Sequence, residues 1–209
     1  MARPAVFTFQ PHANNQVALA QTATSIVFNG VLANQSNQDF SYVTLSGFQR
    51  PVVLTSTQNL SAILITVAGY TYSSLAVSET LSGPNNNSVT TTQAFMTVNS
   101  ITSPSTMTSI RVGFDTTGTS QPFIPNAYNT PADIGMQVNV SGTINYTVQS
   151  TYDDVQKPGT QTWFSSATMS GTVTSSQGSY TVPPKAIRIV VNSAGSTGGL
   201  TFIVNPTGV

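Results

Sequence analysis

The sequence predicts an all-β protein: two β-sandwich or barrel-like modules preceded by an extended N-terminal arm. Three observations carry that expectation. Short β-rich segments recur along all 209 residues, parted by clusters of Gly, Pro and Asn. Several of these segments alternate apolar and polar residues with period two. No stretch has convincing helical periodicity, and the best candidate, Gln16 to Ala23, is weak. Hydrophobic residues make up 39% of the chain, enough for one large β domain or two small ones.

Residues 1–38 read as the arm. Val6-Phe7-Thr8-Phe9 has the pattern of a short strand, broken by Pro11 and Asn14-Asn15. Ser25 to Phe28 suggests another, closed by Asn29-Gly30. Asn and Gln abound here and apolar anchors are few, so the arm is expected to order against a partner.

Residues 39–118 form the first expected module. Ser61 to Tyr70 reads as a strand buried on both faces, because Ile63, Leu64, Ile65 and Val67 run almost without a break. Leu75 to Leu81 follows, and Gly83-Pro84-Asn85-Asn86-Asn87 is a strong turn signal. Val89 to Val98 is Thr-rich and β-prone, and Ser109 to Phe114 places Ile110, Val112 and Phe114 on one face. Residues 119–131 hold Pro122, Pro125 and Pro131, which predicts a connector.

Residues 132–209 form the second expected module. Ile144, Tyr146 and Val148 alternate with polar neighbours, and Val138 and Val140 are expected to extend their face. Asp153-Asp154 and Lys157-Pro158-Gly159 mark a loop before Trp163-Phe164. Ile187, Ile189 and Val191 line one face of a strand whose other face carries Arg188. Gly195 to Gly199 then turns the chain into a closing strand, Leu200 to Val204. The echo between Ser109-Ile110-Arg111-Val112 and Ala186-Ile187-Arg188-Ile189 is of the kind chance produces among β strands.

Charge is the unusual feature. Six Lys/Arg and six Asp/Glu amount to 6% of the chain, against roughly a quarter in ordinary domains. Ser, Thr, Asn and Gln number 88 and must supply most of the polar surface. Such a surface repels little and favours association, since net charge far from zero is what keeps proteins apart. Arg3, Arg50, Arg111, Lys157, Lys185 and Arg188 form no run, so a nucleic-acid partner is not expected. No apolar stretch approaches the ~20 residues of a membrane-spanning helix, and the first ten residues lack the apolar core of an export signal.

The chemistry-bearing residues are sparse. With no cysteine there is neither a disulfide framework nor a thiolate ligand. His12, the lone histidine, has no carboxylate near it in sequence to complete a Ser-His-Asp arrangement. The acids Asp39, Glu79, Asp115, Asp133, Asp153 and Asp154 are candidates for a carboxylate pair. The adjacent Asp153-Asp154 falls in an expected loop, where Asp caps backbone amides more often than it binds calcium or catalyses. No catalytic, cofactor-binding or metal-ligating residue is therefore expected, and no enzyme. Trp163-Phe164 and the tyrosines are expected in the core first, at a protein interface second, and against carbohydrate last. Arg111 and Arg188 suggest either edge charges that block strand addition or partners of ion pairs between subunits.

Two stretches resemble virion proteins of tailed bacteriophages: Glu79 to Ile101 (ETLSGPNNNSVTTTQAFMTVNSI), and Gly142 to Phe164 (GTINYTVQSTYDDVQKPGTQTWF) continued by Ala186 to Val191 (AIRIVV). The resemblance is to small β-rich structural proteins, of the decoration or head-tail kind, and covers about half the chain. It implies a non-enzymatic virion component assembled in the host cytoplasm, a capsid decoration or cement protein first. A neck or tail component such as an adaptor, tube or fibre-base protein comes second, and a host-glycan-binding module third. The implied partners are the major capsid protein or other virion proteins and copies of the chain itself, without nucleic acid or membrane. No catalytic residue is carried over.

Overall fold

The computed structural model describes residues 4–32, 43–44, 47–125, 133–157 and 159–207. Every regular element among them is a strand. In chain order these are β1 (Ala5–Phe9), β2 (Ala18–Ser25), β3 (Val43–Thr44), β4 (Phe48–Thr55), β5 (Leu64–Tyr70), β6 (Ala76–Ser82), β7 (Ser88–Phe95), β8 (Thr97–Phe114), β9 (Gly118–Ser120), β10 (Asp133–Ser141), β11 (Ile144–Thr151), β12 (Phe164–Ser165), β13 (Ser176–Tyr180), β14 (Ala186–Ala194) and β15 (Gly199–Thr207). The chain divides into two compact units, residues 12–118 and residues 1–11 with 119–209. The protein is all-β and sandwich-like.

In the unit of residues 12–118, β8 is the spine, 18 residues long. Its first part pairs with β5, from Tyr70↔Thr97 to Thr66↔Thr102. Its last part pairs with β4, from Thr55↔Arg111 to Val52↔Phe114. β2 and β3 also pair with it. β5 takes β6 as a further neighbour and β4 takes β7. The path β6-β5-β8-β4-β7 thus returns to its start, because β6 and β7 follow one another and lie side by side. Among the described residues no backbone ladder joins those two strands. Period-two alternation sends Val52 and Leu54, Ile65 and Val67, Phe95, Ile101 and Val112 into a common core. Each such side chain stabilises the fold by ~1.5–3 kcal/mol relative to exposure.

The other unit is two facing sheets. One has the order β1-β15-β10-β13, and the second runs β12-β11-β14 with β9 beside β14. Phe7 and Phe202, directly paired in register, stack with ring centroids 6.0 Å apart. Tyr146 of β11 reaches the opposite sheet. Its hydroxyl donates to the Thr174 carbonyl at 2.8 Å and shares a 2.5 Å hydrogen bond with Ser176 Oγ of β13. Burial raises the pKa of that phenol, and the Ser176 bond partly offsets the rise. Gly178 of β13 leaves room for Met169, whose methyl lies 2.8 Å from where a Cβ would stand.

Several expectations need correction. The described part of the expected arm, residues 4–32, is built into the two units: β1 pairs with β15, and β2 with β8. The second arm strand is Ala18–Ser25 rather than Ser25 to Phe28, and it includes most of the segment with weak helical character. β2 has little apolar alternation of its own; its pairing with β8, through repeated register shifts, imposes the extended form. β5 is buried on one face only, since Leu64, Thr66, Ala68 and Tyr70 alternate outward. Val138 shares a buried face with Met136 and Ile134, but in β10, a different sheet from Ile144, Tyr146 and Val148. β8 is one strand from Thr97 to Phe114 and runs through Pro104, where the sequence reading has separate strands, Val89 to Val98 and Ser109 to Phe114. Its register partners flank that proline at Thr102 and Met107. Residues 33–38 of the expected arm and 126–131 of the expected connector lie outside the described residues.

Candidate interaction surface

An aromatic edge is the best-built exposed feature of the unit that holds residues 119–209. β12 is two residues long and pairs with β11 through Gln149↔Ser165 and Ser150↔Phe164. A strand so short has little ladder to hold it, and side chains supply the rest. The guanidinium of Arg188, from β14, lies 3.9 Å from the centroid of the Trp163 ring. Its Nε donates to Gln149 Oε1 at 2.9 Å. Arg188 is thus fixed by a side chain of β11 and stacked on the residue preceding β12, a contact of ~1 kcal/mol at a partly exposed site.

The loop between β11 and β12 is tied by its acids. Asp153 Oδ2 accepts the Thr162 N–H at 2.6 Å, and the Asp153 N–H donates to Thr151 Oγ1 at 3.0 Å. Asp154 Oδ1 accepts the Gln156 N–H at 3.0 Å, and Lys157 stands 3.7 Å from Asp154 in an exposed ion pair of small energetic weight. The pair Asp153-Asp154 therefore does turn chemistry. On this base Tyr152 and Phe164 stand 60% and 61% exposed. Phe164 pairs with Ser150, and Tyr152 directly follows the last residue of β11, so both lie at the same end of this strand pair. Exposed rings on a rigid base are suited to filling an apolar hollow in a partner.

The other candidates are dispersed. His12 Nδ1 donates to the Phe114 carbonyl. Glu79 accepts backbone N–H groups of Thr92 and Gln93 at 3.0 and 2.7 Å. Asp115 accepts the Thr117 hydroxyl at 2.7 Å. Asp133 opens β10, and Asp39 lies outside the described residues. No three His, Asp or Glu side chains gather into a metal-binding group among the described residues. Arg111 and Arg188 are not edge charges. β8 has β2 and β4 as neighbours at Arg111, and β14 lies between β11 and β9. Arg188 braces Trp163, which places that ring in a contact the sequence did not foretell.

Arg50 is the residue that sequence reasoning passed over. It is almost wholly buried in β4, donates through Nε to the Asp115 carbonyl at 3.0 Å, and donates to the same oxygen through Nη2. Its guanidinium also lies 5.7 Å from the Phe114 ring. Burial lowers its pKa to about 9, against the opposite pull of the Asp115 carboxylate, so it stays cationic at neutral pH. The available signal was its position between Phe48 and the apolar run Val52-Val53-Leu54. Arg50 ties β4 to the end of β8 and is structural.

Neither a scan against protein-family models nor a search of curated proteins finds a match to this chain.

Proposed function

We propose that the chain is a structural component of a tailed-bacteriophage particle, a decoration protein that binds the outer face of the capsid across subunit boundaries. The observation that carries this reading is the pairing of a surface poor in charge with large apolar side chains left in solvent. Six acids and six bases serve 209 residues, while Tyr152, Phe164, Leu75 and Val182 are each at least 60% exposed. Burial of such a surface desolvates few ions and removes apolar area from water. The resemblance of Glu79 to Ile101 and of Gly142 to Phe164 to virion proteins points the same way.

In this role the aromatic edge at Tyr152 and Phe164 enters a hollow on a capsid subunit, and many weak contacts sum over the lattice. Attachment across boundaries stiffens the shell against the pressure of packaged DNA. Quantitative mass spectrometry of purified particles tests the assignment. Hundreds of copies per particle support decoration, six or twelve assign the chain to the neck or tail, and none overturns the reading.

A further inference from the structure

Half of the basic residues of this chain are followed by proline. The pairs are Arg3-Pro4, Arg50-Pro51 and Lys157-Pro158, three of the six Lys and Arg. Prolines number 12 in 209 residues, so chance would place one after about one base in seventeen. The pattern has a chemical reading. A serine protease of trypsin specificity seats the base in an acid-floored pocket, and its histidine protonates the nitrogen of the next residue as the bond breaks. Proline has no N–H at that nitrogen, and its ring carbon crowds the edge by which the residue would be seated. A bond from Lys or Arg to proline is therefore a poor substrate even in exposed chain.

The other three bases are shielded by the fold. Such a protease takes its substrate as an extended segment paired with the enzyme's own backbone, so a strand already paired must first be freed. Arg111 lies in β8, where Thr55↔Arg111 and Leu54↔Val112 pair it with β4, and Ala18↔Val112 with β2. Val112, the residue after it, is fully buried, and its carbonyl accepts the Val17 N–H at 2.9 Å. Lys185 donates its own N–H to the Thr151 carbonyl at 2.8 Å, and the following Ala186 is fully buried opposite Thr151. Arg188 stands within β14 opposite Gln149, and the following Ile189 donates its N–H to Ser120 Oγ at 3.0 Å. Lys157 shows the complementary case. Its side chain is 79% exposed in the loop between β11 and β12, where no strand shields it, and there the next residue is proline.

We propose that the folded chain withstands proteases that cut after Lys or Arg, because each of its six bases is closed to them: Arg3, Arg50 and Lys157 by the proline that follows, Arg111, Lys185 and Arg188 by strand pairing. This goes beyond the assembly reading and stands without it. The protein is suited to persist in a fluid that carries such enzymes. Cleavage at the shielded bases waits on the opening of β8 or β14, strands paired along both edges in the interior of their sheets.

Trypsin digestion of the full native chain tests this, with mass spectrometry to place each cut and circular dichroism to check folding. The wild type is expected to stay whole. Pro158→Ala is expected to be cut after Lys157, and Gln156→Arg, which keeps Pro158, between positions 156 and 157. Both cuts should be at least ~100-fold faster than any cut in the wild type, since they need no strand to open. In denaturant that unfolds the chain and leaves trypsin active, cuts are expected after Arg111, Lys185 and Arg188, and none before Pro4, Pro51 or Pro158. A native wild type cut at any base as fast as Gln156→Arg overturns the proposal. So does a folded Pro158→Ala protein as resistant as wild type, or an unfolded chain cut before its prolines as readily as elsewhere.

Discussion

Glu79 and Gln93 meet across the seam between β6 and β7: Oε2 of Glu79 accepts the Gln93 N–H at 2.7 Å, while Oε1 accepts the neighbouring Thr92 N–H at 3.0 Å. The seam lies beside a bulge between β4 and β7, whose register shifts from Pro51↔Ala94 to Val53↔Thr90. Inside the bulge Thr91 Oγ1 accepts the Val52 N–H and donates to the Gln93 carbonyl, both at 2.8 Å. The amides of Thr92 and Gln93 are left to the Glu79 carboxylate, which does the work of a ladder where none runs.

Glu79 should therefore make the fold acid-sensitive. Desolvation pushes its carboxyl up, but hydrogen bonds from Gln93 and Thr92 outweigh that and hold its pKa below the ordinary value. A folded-state pKa lower than the unfolded one, roughly 4.3, contributes stability that is present above that pH and lost as pH falls through the folded value. Urea unfolding from pH 7 to pH 3 should show this loss in the wild type. Glu79→Gln should cost about 1 kcal/mol at pH 7 and remove that part of the acid dependence. Identical pH profiles for the two proteins would contradict the assignment.

Arg50→Leu removes both hydrogen bonds to the Asp115 carbonyl and leaves that oxygen without those donors in a partly buried place. A loss of about 3 kcal/mol is expected in chemical unfolding. Arg50→Lys should lose nearly as much, because an ammonium cannot reproduce a planar guanidinium that donates from two nitrogens. Variants within 0.5 kcal/mol of wild type, on the order of an ordinary surface change, would show that Arg50 is not a brace.

The single tryptophan is a built-in probe of the aromatic edge. Arg188→Ala uncovers a face of the Trp163 ring, so emission should shift to the red with a cost of about 1 kcal/mol in stability. Unchanged emission would mean that Arg188 and Trp163 are not stacked in solution.

Gly69 sits where β5 shifts register against β8, and a Cβ there would lie 1.9 Å from the Thr97 carbonyl oxygen. Gly69→Ala should cost about 3 kcal/mol or more, because backbone rather than a flexible side chain must yield. At Gly135 the nearest atom is 3.8 Å away, and alanine should be tolerated. Comparable thermal midpoints for the two variants would refute the register placed at β5 and β8.

The strands legible in the sequence were those with a buried face and a clean alternation. Ile144, Tyr146 and Val148, and Ile187, Ile189 and Val191, lie buried as period two requires. What the sequence hid was set by pairing between distant segments. β2, with Gln21, Thr22 and Thr24 in its middle, is a strand because β8 pairs with it, and β1 is held by a strand almost two hundred residues away. For that reason deletion of residues 1–38 would strip both units of a strand and cannot serve as a clean test of attachment. At the surface, the turn role of Asp153-Asp154 was readable from local chemistry. The Arg188–Trp163 stack was not, because it joins residues twenty-five apart through a third strand.

The central claim is that this sparsely charged β surface is buried against other particle proteins. Cryo-electron microscopy of purified particles tests it most directly. The account predicts density for this fold at repeated positions on the capsid exterior, with Tyr152 and Phe164 covered by a capsid subunit. Particles whose exterior carries no such density, together with a chain that stays dispersed and unattached in the lysate, would contradict it.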